Sequence, residues 1–118
     1  MIKPSKKTLI YERVALRIAS NPNAHRLFEL LAETFKTLGD TSRVQIVWAV
    51  SHGELCVSDV AKLLGMSQSS VSHHLQRLRS LKLVKVRREH RTIFYSLDDK
   101  HIENLLDEGI EHVEDLLQ

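Results

Sequence analysis

The sequence predicts a mainly α-helical fold closed by a β-hairpin, an α+β arrangement. Three observations predict it. Apolar residues recur at three- and four-residue spacing through most of the chain, as packed helices require. Two helical stretches are joined by the short turn Gly65-Met66-Ser67. Directly after them, residues 83–88 and 92–97 alternate on either side of Glu89-His90-Arg91, a hairpin with a charged tip. Helix, turn, helix and hairpin in that order describe a winged helix-turn-helix.

At 118 residues the chain fits one domain, and its 42% hydrophobic content suffices for a packed core. The 17 Lys+Arg against 15 Asp+Glu leave a net charge of +2, which excludes a surface flooded with positive charge but not a local basic patch. Seven histidines leave room for metal binding or pH sensitivity. Cys56 is the only cysteine, so no intrachain disulfide forms. There is no signal peptide, membrane-length apolar run, repeat or low-complexity tract, and a cytoplasmic location is expected.

Residues 1–22 read as an arm. Lys3, Lys6 and Lys7 open it, and residues 8–20 form a short helix with Leu9, Ile10, Val14 and Ile18 apolar, ended by Pro22. A helix this short is stable only when docked, so dimer packing is its plain role. Residues 23–118 form the winged unit. Residues 23–38 are helical, with Leu27, Leu30, Leu31, Phe35 and Leu38 on one face and Gly39 as the stop. Asp40 caps the next helix, 41 to about 51, with Val44, Ile46, Val47 and Trp48 inside and His52-Gly53 closing it. Ser58 caps residues 59–64, Gly65 ends them, and Ser67 caps the helix from 68 to about 81. Val60, Leu63, Leu64, Val71, Leu75 and Leu78 are the expected buried positions.

The outward face of that second helix carries Gln68, Ser69, Ser72, His73, Gln76 and Arg77. These are short hydrogen-bonding groups with one fixed charge, where an ordinary solvent face carries Glu–Lys pairs. Gln and Ser at a helix start suit base edges in a major groove, and Arg77 suits phosphate or guanine. The rival reading is a helix-turn-helix used only for packing against protein. Arg87, Arg88 and Arg91 add three guanidiniums at the hairpin. A charged hairpin end is ordinarily just solvated, but beside a reading helix it points to phosphate or minor-groove contact.

Residues 99–118 make one amphipathic helix, with Ile102, Leu105, Leu106, Ile110, Val113, Leu116 and Leu117 at helical spacing. Asp99, His101, His112 and Asp115 stand beside the stripe, and all are metal-ligand types. The two histidines lie about three turns apart, on one side of the helix but separated by about 16 Å along it. Ligands of one zinc lie about 2.0–2.2 Å from the metal, so one helix cannot bring both to one ion. Two copies packed antiparallel, with a two-fold axis near Leu106 and Asp107, bring His101 beside the partner's His112 and Asp99 beside the partner's Asp115. The homodimer then holds two identical sites, and Gly109 lets the backbones approach. The plain alternative is a packing helix whose early acids suit the helix dipole.

On these residues the chain resembles the ArsR/SmtB metal-sensing winged-helix repressors, from about Ala24 to Asp115. The matching pieces are LFELLAETFKTLGDTSRVQIV, GELCVSDVAKLLGMSQSSVSHHLQRLRSLKLV, the wing VRREHRTIFYSL, and Asp-x-His, ten residues, His-x-x-Asp. The resemblance implies a homodimer that binds double-stranded operator DNA when metal-free and lets go when metal binds. It implies DNA contacts at Gln68, Ser69, Ser72 and His73. The family's zinc-type ligands map onto Asp99 and His101 of one chain with the partner's His112 and the partner's Asp115. Zinc is expected as effector, cobalt fits similarly, and nickel favours more ligands. The family's fourth ligand is His or Glu, so Asp115 is a short-armed departure, with Glu114 as the substitute. The Cys-x-Cys of the family's thiophilic-metal sensors reads Cys56-Val57-Ser58 here, which argues against a thiolate site and leaves Cys56 as a packing residue. Thr41 stands where the family often has proline. The resemblance further implies that the non-ligating nitrogen of His112 donates to a backbone carbonyl near Lys82, just after the reading helix.

Three functions compete at this point: a zinc-responsive repressor, a same-fold DNA-binding repressor with a non-metal effector or none, and a metal-binding or interaction module without DNA activity. An enzyme is not expected, because the sequence has no nucleophile–base pair and no phosphate loop, and the metal shell is closed.

Overall fold

The structure, a computed structural model, describes Lys3 and residues 5–118; Met1, Ile2 and Pro4 of the expected arm lie outside the described residues. The elements are α1 (Lys6–Ser20), α2 (Ala24–Leu38), α3 (Thr41–Ser51), β1 (Leu55–Cys56), α4 (Val57–Leu64), α5 (Gln68–Ser80), β2 (Val84–Glu89), β3 (Thr92–Leu97) and α6 (Lys100–Leu116). They form two compact units whose boundary falls inside α2, one up to Phe35 and the other from Lys36. Among the described residues no helix is long and apolar enough to cross a membrane.

In the first unit, α1 starts two residues earlier than the apolar pattern indicates. Ser5 caps it, its hydroxyl accepting from the Thr8 amide at 3.2 Å. The large apolar residues of α1 and of the first unit's part of α2, Leu9, Ile10, Val14, Leu27, Leu31 and Phe35 among them, stay exposed in the single chain.

The second unit holds the core. Ile46, Val47 and Val50 of α3 meet Val60 and Ala61 of α4, Val71, Leu75 and Leu78 of α5, and Leu83, Val84 and Tyr95 of the hairpin. Asp40 caps α3 as expected, accepting from the Arg43 amide at 3.0 Å. That bond holds the Asp40 carboxyl below its usual pKa. A carboxyl depressed in this way stabilises the fold above the ordinary carboxylate range, and the contribution is lost as pH falls through the depressed value. Arg43 also donates through Nε to the Thr37 carbonyl at 2.8 Å, tying the start of α3 to the end of α2.

Three expectations are corrected. Trp48 is not inside; it is 47% exposed. Ile46, Val47, Ala49 and Val50 fill the inward side of α3, and Trp48 lines an apolar cleft of about 290 Å³ with Val44, Gln45, Leu106 and Ile110. Leu63 is 66% exposed, because an eight-residue helix presents a single inward stripe and α4 uses Val60 and Ala61 for it, with Leu64 at the margin. Ser58 does not cap α4. The helix starts at Val57, and Cys56 takes the cap position without a side-chain cap bond. The sequence reading also lacked β1, which pairs antiparallel with β3 through Leu55↔Tyr95 and Cys56↔Phe94 and makes the sheet order β1-β3-β2. Two residues are too few for alternation to register.

α5 ends in a Schellman turn. The Lys82 amide donates to the Arg79 carbonyl at 2.9 Å and the Leu83 amide to the Leu78 carbonyl at 3.0 Å. The turn needs a left-handed residue, and Lys82 supplies it at φ 57, where a side chain is strained. Lys82→Gly is therefore expected to raise unfolding stability by about 0.5–1 kcal/mol, the relief of strain exceeding the entropy cost of glycine. Urea denaturation measures this, and an unchanged or lower midpoint would contradict it.

Candidate nucleic-acid interface and metal face

The buried stripe of α5 aims its outer face. Val71, Leu75 and Leu78 are fully buried. The start of the helix is fixed by Ser67, whose hydroxyl accepts from the Ser70 amide at 3.0 Å. The turn before it is fixed by Gly65 at φ 65, with the Gly65 and Met66 amides both on the Ala61 carbonyl. Gln68, Ser69, His73, Gln76 and Arg77 are left exposed, and Ser72 is half-buried at the margin. All six residues singled out in the sequence thus fall outside the core stripe of one helix, available to a groove.

The hairpin follows directly after the Schellman turn. Its strands pair from Val84↔Leu97 to Glu89↔Thr92, so His90 and Arg91 alone form the tip, with His90 at φ 55. Side chains alternate across the sheet. Val84, Val86, Tyr95 and Leu97 face or border the core, while Lys85, Arg87 and Phe94 lie on the outer face. Arg88 and Arg91 are exposed and make no ion pair among the described residues. Arg87 differs. Its Nε donates to Glu54 at 2.7 Å, its Nη1 to Glu89 at 2.9 Å, and its guanidinium lies 5.0 Å from the centre of the Phe94 ring. The two carboxylates hold its pKa above the usual arginine value, Glu54 most strongly. Sequence reasoning missed Glu54 and Phe94 as partners. Glu54 is 33 positions from Arg87, and only β1 brings it near.

α6 presents two stripes. Ile102, Leu106 and Ile110 are half-buried, and the first two pack on the core. His101, Leu105, Gly109, His112 and Leu116 fall within about 80° of arc at 3.6 residues per turn, and all are exposed. Asp115 is exposed beside them. Asp99 caps the helix, its Oδ1 accepting from the Ile102 amide at 3.0 Å, which leaves Oδ2 for another partner. Among the described residues no three His, Cys, Asp or Glu side chains are grouped to hold a metal. His101 and His112 in particular stand about 16 Å apart along one helix and do not meet within the chain. At the other position, Cys56 Sγ donates to Asp59 at 3.2 Å and lies 3.2 Å from the Ser58 hydroxyl. Residues 56–58 thus offer one thiol already engaged locally.

Comparison with known proteins bears on the winged-helix unit. A family model described as "Bacterial regulatory protein, arsR family" matches residues 40–86, the span from the α3 cap to the first strand of the wing. The chain is 42% identical over 83 residues to the cadmium resistance transcriptional regulatory protein CadC homolog of Staphylococcus aureus, covering 70% of this chain and 69% of that protein. The chain belongs to the ArsR family. A second member, the transcriptional repressor SmtB homolog of Synechocystis sp., is 45% identical over 85 residues, covering 72% of this chain and 64% of that protein. The aligned stretch thus spans about two thirds of these curated relatives. Among solved structures, the homodimeric winged helix-turn-helix DNA-binding domain of Mb0332 from Mycobacterium bovis, a possible ArsR-family regulator, superposes with a TM-score of 0.75 at 28% identity, covering 84% of this chain and 91% of that one. An ArsR-family winged helix is a DNA-binding transcriptional regulator and not an enzyme.

Proposed function

We propose that this ArsR-family chain is a metal-responsive repressor: a homodimer that binds operator DNA in the metal-free form and releases it when zinc is held between its two α6 helices. The observation that carries the reading is the outward stripe of α6, where His101 and His112 share one exposed side with Leu105, Gly109 and Leu116. A helix whose inner stripe is already packed has no use within its own unit for a second apolar stripe bearing two imidazoles. The names of relatives support the same reading: one regulates cadmium resistance, one is a repressor, and the Mb0332 domain is homodimeric.

Asp99 and His101 of one helix, with the partner's His112 and the partner's Asp115, would hold the ion. Nitrogen and oxygen donors of this kind fit zinc or cobalt, whereas a thiophilic ion finds only Cys56. Asp99 would ligate through Oδ2, because Oδ1 caps the helix. Bound zinc supplies a four-ligand link between the two helices. The second ring nitrogen of His112 would donate toward a carbonyl near Lys82, in the turn that ends α5, joining the metal face to the reading helix. Gln68, Ser69, Ser72, His73, Gln76 and Arg77 would enter the major groove, with Arg88 and Arg91 at the wing.

Fluorescence titration of the protein onto a labelled palindromic duplex, with and without stoichiometric zinc, tests the proposal. A loss of affinity of about tenfold or more, reversed by chelator, is expected. Tight binding indifferent to zinc would reduce the α6 residues to packing and favour a repressor with another effector or none.

Gly109 tests the crossing. No heavy atom lies within 4 Å of a Cβ built there, so alanine should stabilise the single helix by about 0.5–1 kcal/mol. Between two crossing helices the same methyl would obstruct. Gly109→Ala is expected to weaken dimerisation in sedimentation equilibrium while far-UV helicity rises. Unimpaired dimerisation would place the crossing elsewhere.

A further inference from the structure

The wing leaves the sheet at a definable point. β1 pairs with β3 only through Leu55↔Tyr95 and Cys56↔Phe94, while β2 and β3 continue to Glu89↔Thr92. Cys56, Phe94 and Arg87 therefore form the last row in which the sheet is three strands wide. Beyond it the hairpin is a two-stranded ribbon, in which Ile93, opposite Arg88, still packs against the core, and a two-stranded ribbon twists more than a wider sheet. Arg87 stands on this last row. Its guanidinium lies on the Phe94 ring and reaches back across β3 to Glu54, before β1, and forward to Glu89, next to the tip.

We infer that Arg87 is a positioning residue: with Glu54, Glu89 and Phe94 it clamps the root of the wing and sets the angle at which Arg88 and Arg91 meet the phosphates. This rests on the DNA-binding reading above. It removes Arg87 from the set of direct DNA contacts. Two carboxylates meet its single positive charge, and the faces of its planar fork used by Glu54, Glu89 and Phe94 are those a phosphate would need. The ion pairs are half-exposed, at 50% for Arg87 and 41% for Glu54, so each adds little to global stability. Their effect lies in orientation, since one side chain of β2 is held on the Phe94 ring of β3 and by the residue that precedes β1.

The salt dependence of binding separates a clamp from a contact. Each phosphate contact contributes about 0.9 to the slope of log affinity against log salt, so removing one per subunit from a dimer flattens the slope by about 1.8. Arg91→Gln is expected to do this. Arg87→Gln is expected to weaken binding by about tenfold with the slope unchanged. Glu54→Gln should do the same. Arg87→Lys, which keeps the charge but not the fork, should behave as Arg87→Gln. If Arg87 were instead a phosphate contact held back by Glu54, Glu54→Gln would tighten binding and steepen the slope, and Arg87→Lys would be mild; either result overturns the clamp. A second measurement needs no DNA. Hydrogen exchange of the Glu89 to Thr92 amides in the free protein should accelerate in Arg87→Gln and Glu54→Gln and stay unchanged in Arg91→Gln. Unchanged exchange in the first two would overturn the clamp, while accelerated exchange in a protein that binds no duplex would keep the clamp and refute the DNA-binding reading.

Discussion

His112→Ala is expected to leave the affinity for operator DNA unchanged and to abolish the loss of that affinity on adding zinc. His112 is exposed near the end of α6, so its removal should change folding stability by no more than about 0.5 kcal/mol. It stands on the face of α6 that carries His101, Leu105 and Gly109, remote in sequence from Gln68 to Arg77, so the apo reading surface is untouched. In the proposed dimer each site takes His112 from one helix, so a single substitution removes a ligand from both sites. Couplings between sites typically amount to about 1–3 kcal/mol, or 5- to 150-fold in affinity. The wild-type protein should show a shift of that order and the variant none. Linkage adds a check: saturating operator must weaken zinc binding to the wild type by the same factor that zinc weakens operator binding. A His112→Ala protein that still releases DNA on adding zinc would sink the α6 assignment. His101→Ala should match it in zinc affinity, because the two imidazoles belong to one shell. It differs in the second role, since only His112 is proposed to reach toward Lys82.

Most of the fold could be read because the signals are local. Asp40, Ser67 and Gly65 each act within four residues of themselves, and each does what its side chain or lack of one requires. The reading face of α5 was legible for a related reason. Val71, Leu75 and Leu78 define the inside at helical spacing, and the remainder is outside. What escaped needed neighbours distant in sequence. β1 is a strand only because Tyr95 and Phe94 lie beside it. Trp48 reads as core by its chemistry, but its direction depends on α6 arriving from 60 residues later to form the cleft. Arg87 looks identical to Arg88 and Arg91 in sequence, and only the sheet shows that pairing places it opposite Phe94 and within reach of Glu54. Asp99 was recognised as a ligand type, whereas its capping bond emerged only with the start of α6 fixed at Lys100.

The scaffold and the reading surface are adjacent residues on α5, and the second large effect separates them. Leu75 is fully buried at the centre of the core, and Leu75→Ala is expected to cost about 2–5 kcal/mol, through lost transfer energy and the cavity left behind. Domains of this kind are stable by only about 5–15 kcal/mol, so the urea midpoint should drop steeply and the variant could be partly unfolded at physiological temperature. Gln76 is exposed one position later, and Gln76→Ala should move the midpoint by about 0.5 kcal/mol or less. Their effects on DNA should run the other way. Once corrected to the folded fraction, Leu75→Ala should bind operator nearly as the wild type does, because the helix keeps its outer face. Gln76→Ala should lose about 1–3 kcal/mol of operator binding if its amide reads a base, and little on unrelated duplex. A Leu75→Ala protein as stable as the wild type would mean that the core stripe does not hold α5. The outward aim of Gln68, Ser69, Ser72, His73 and Gln76 would then have no physical support.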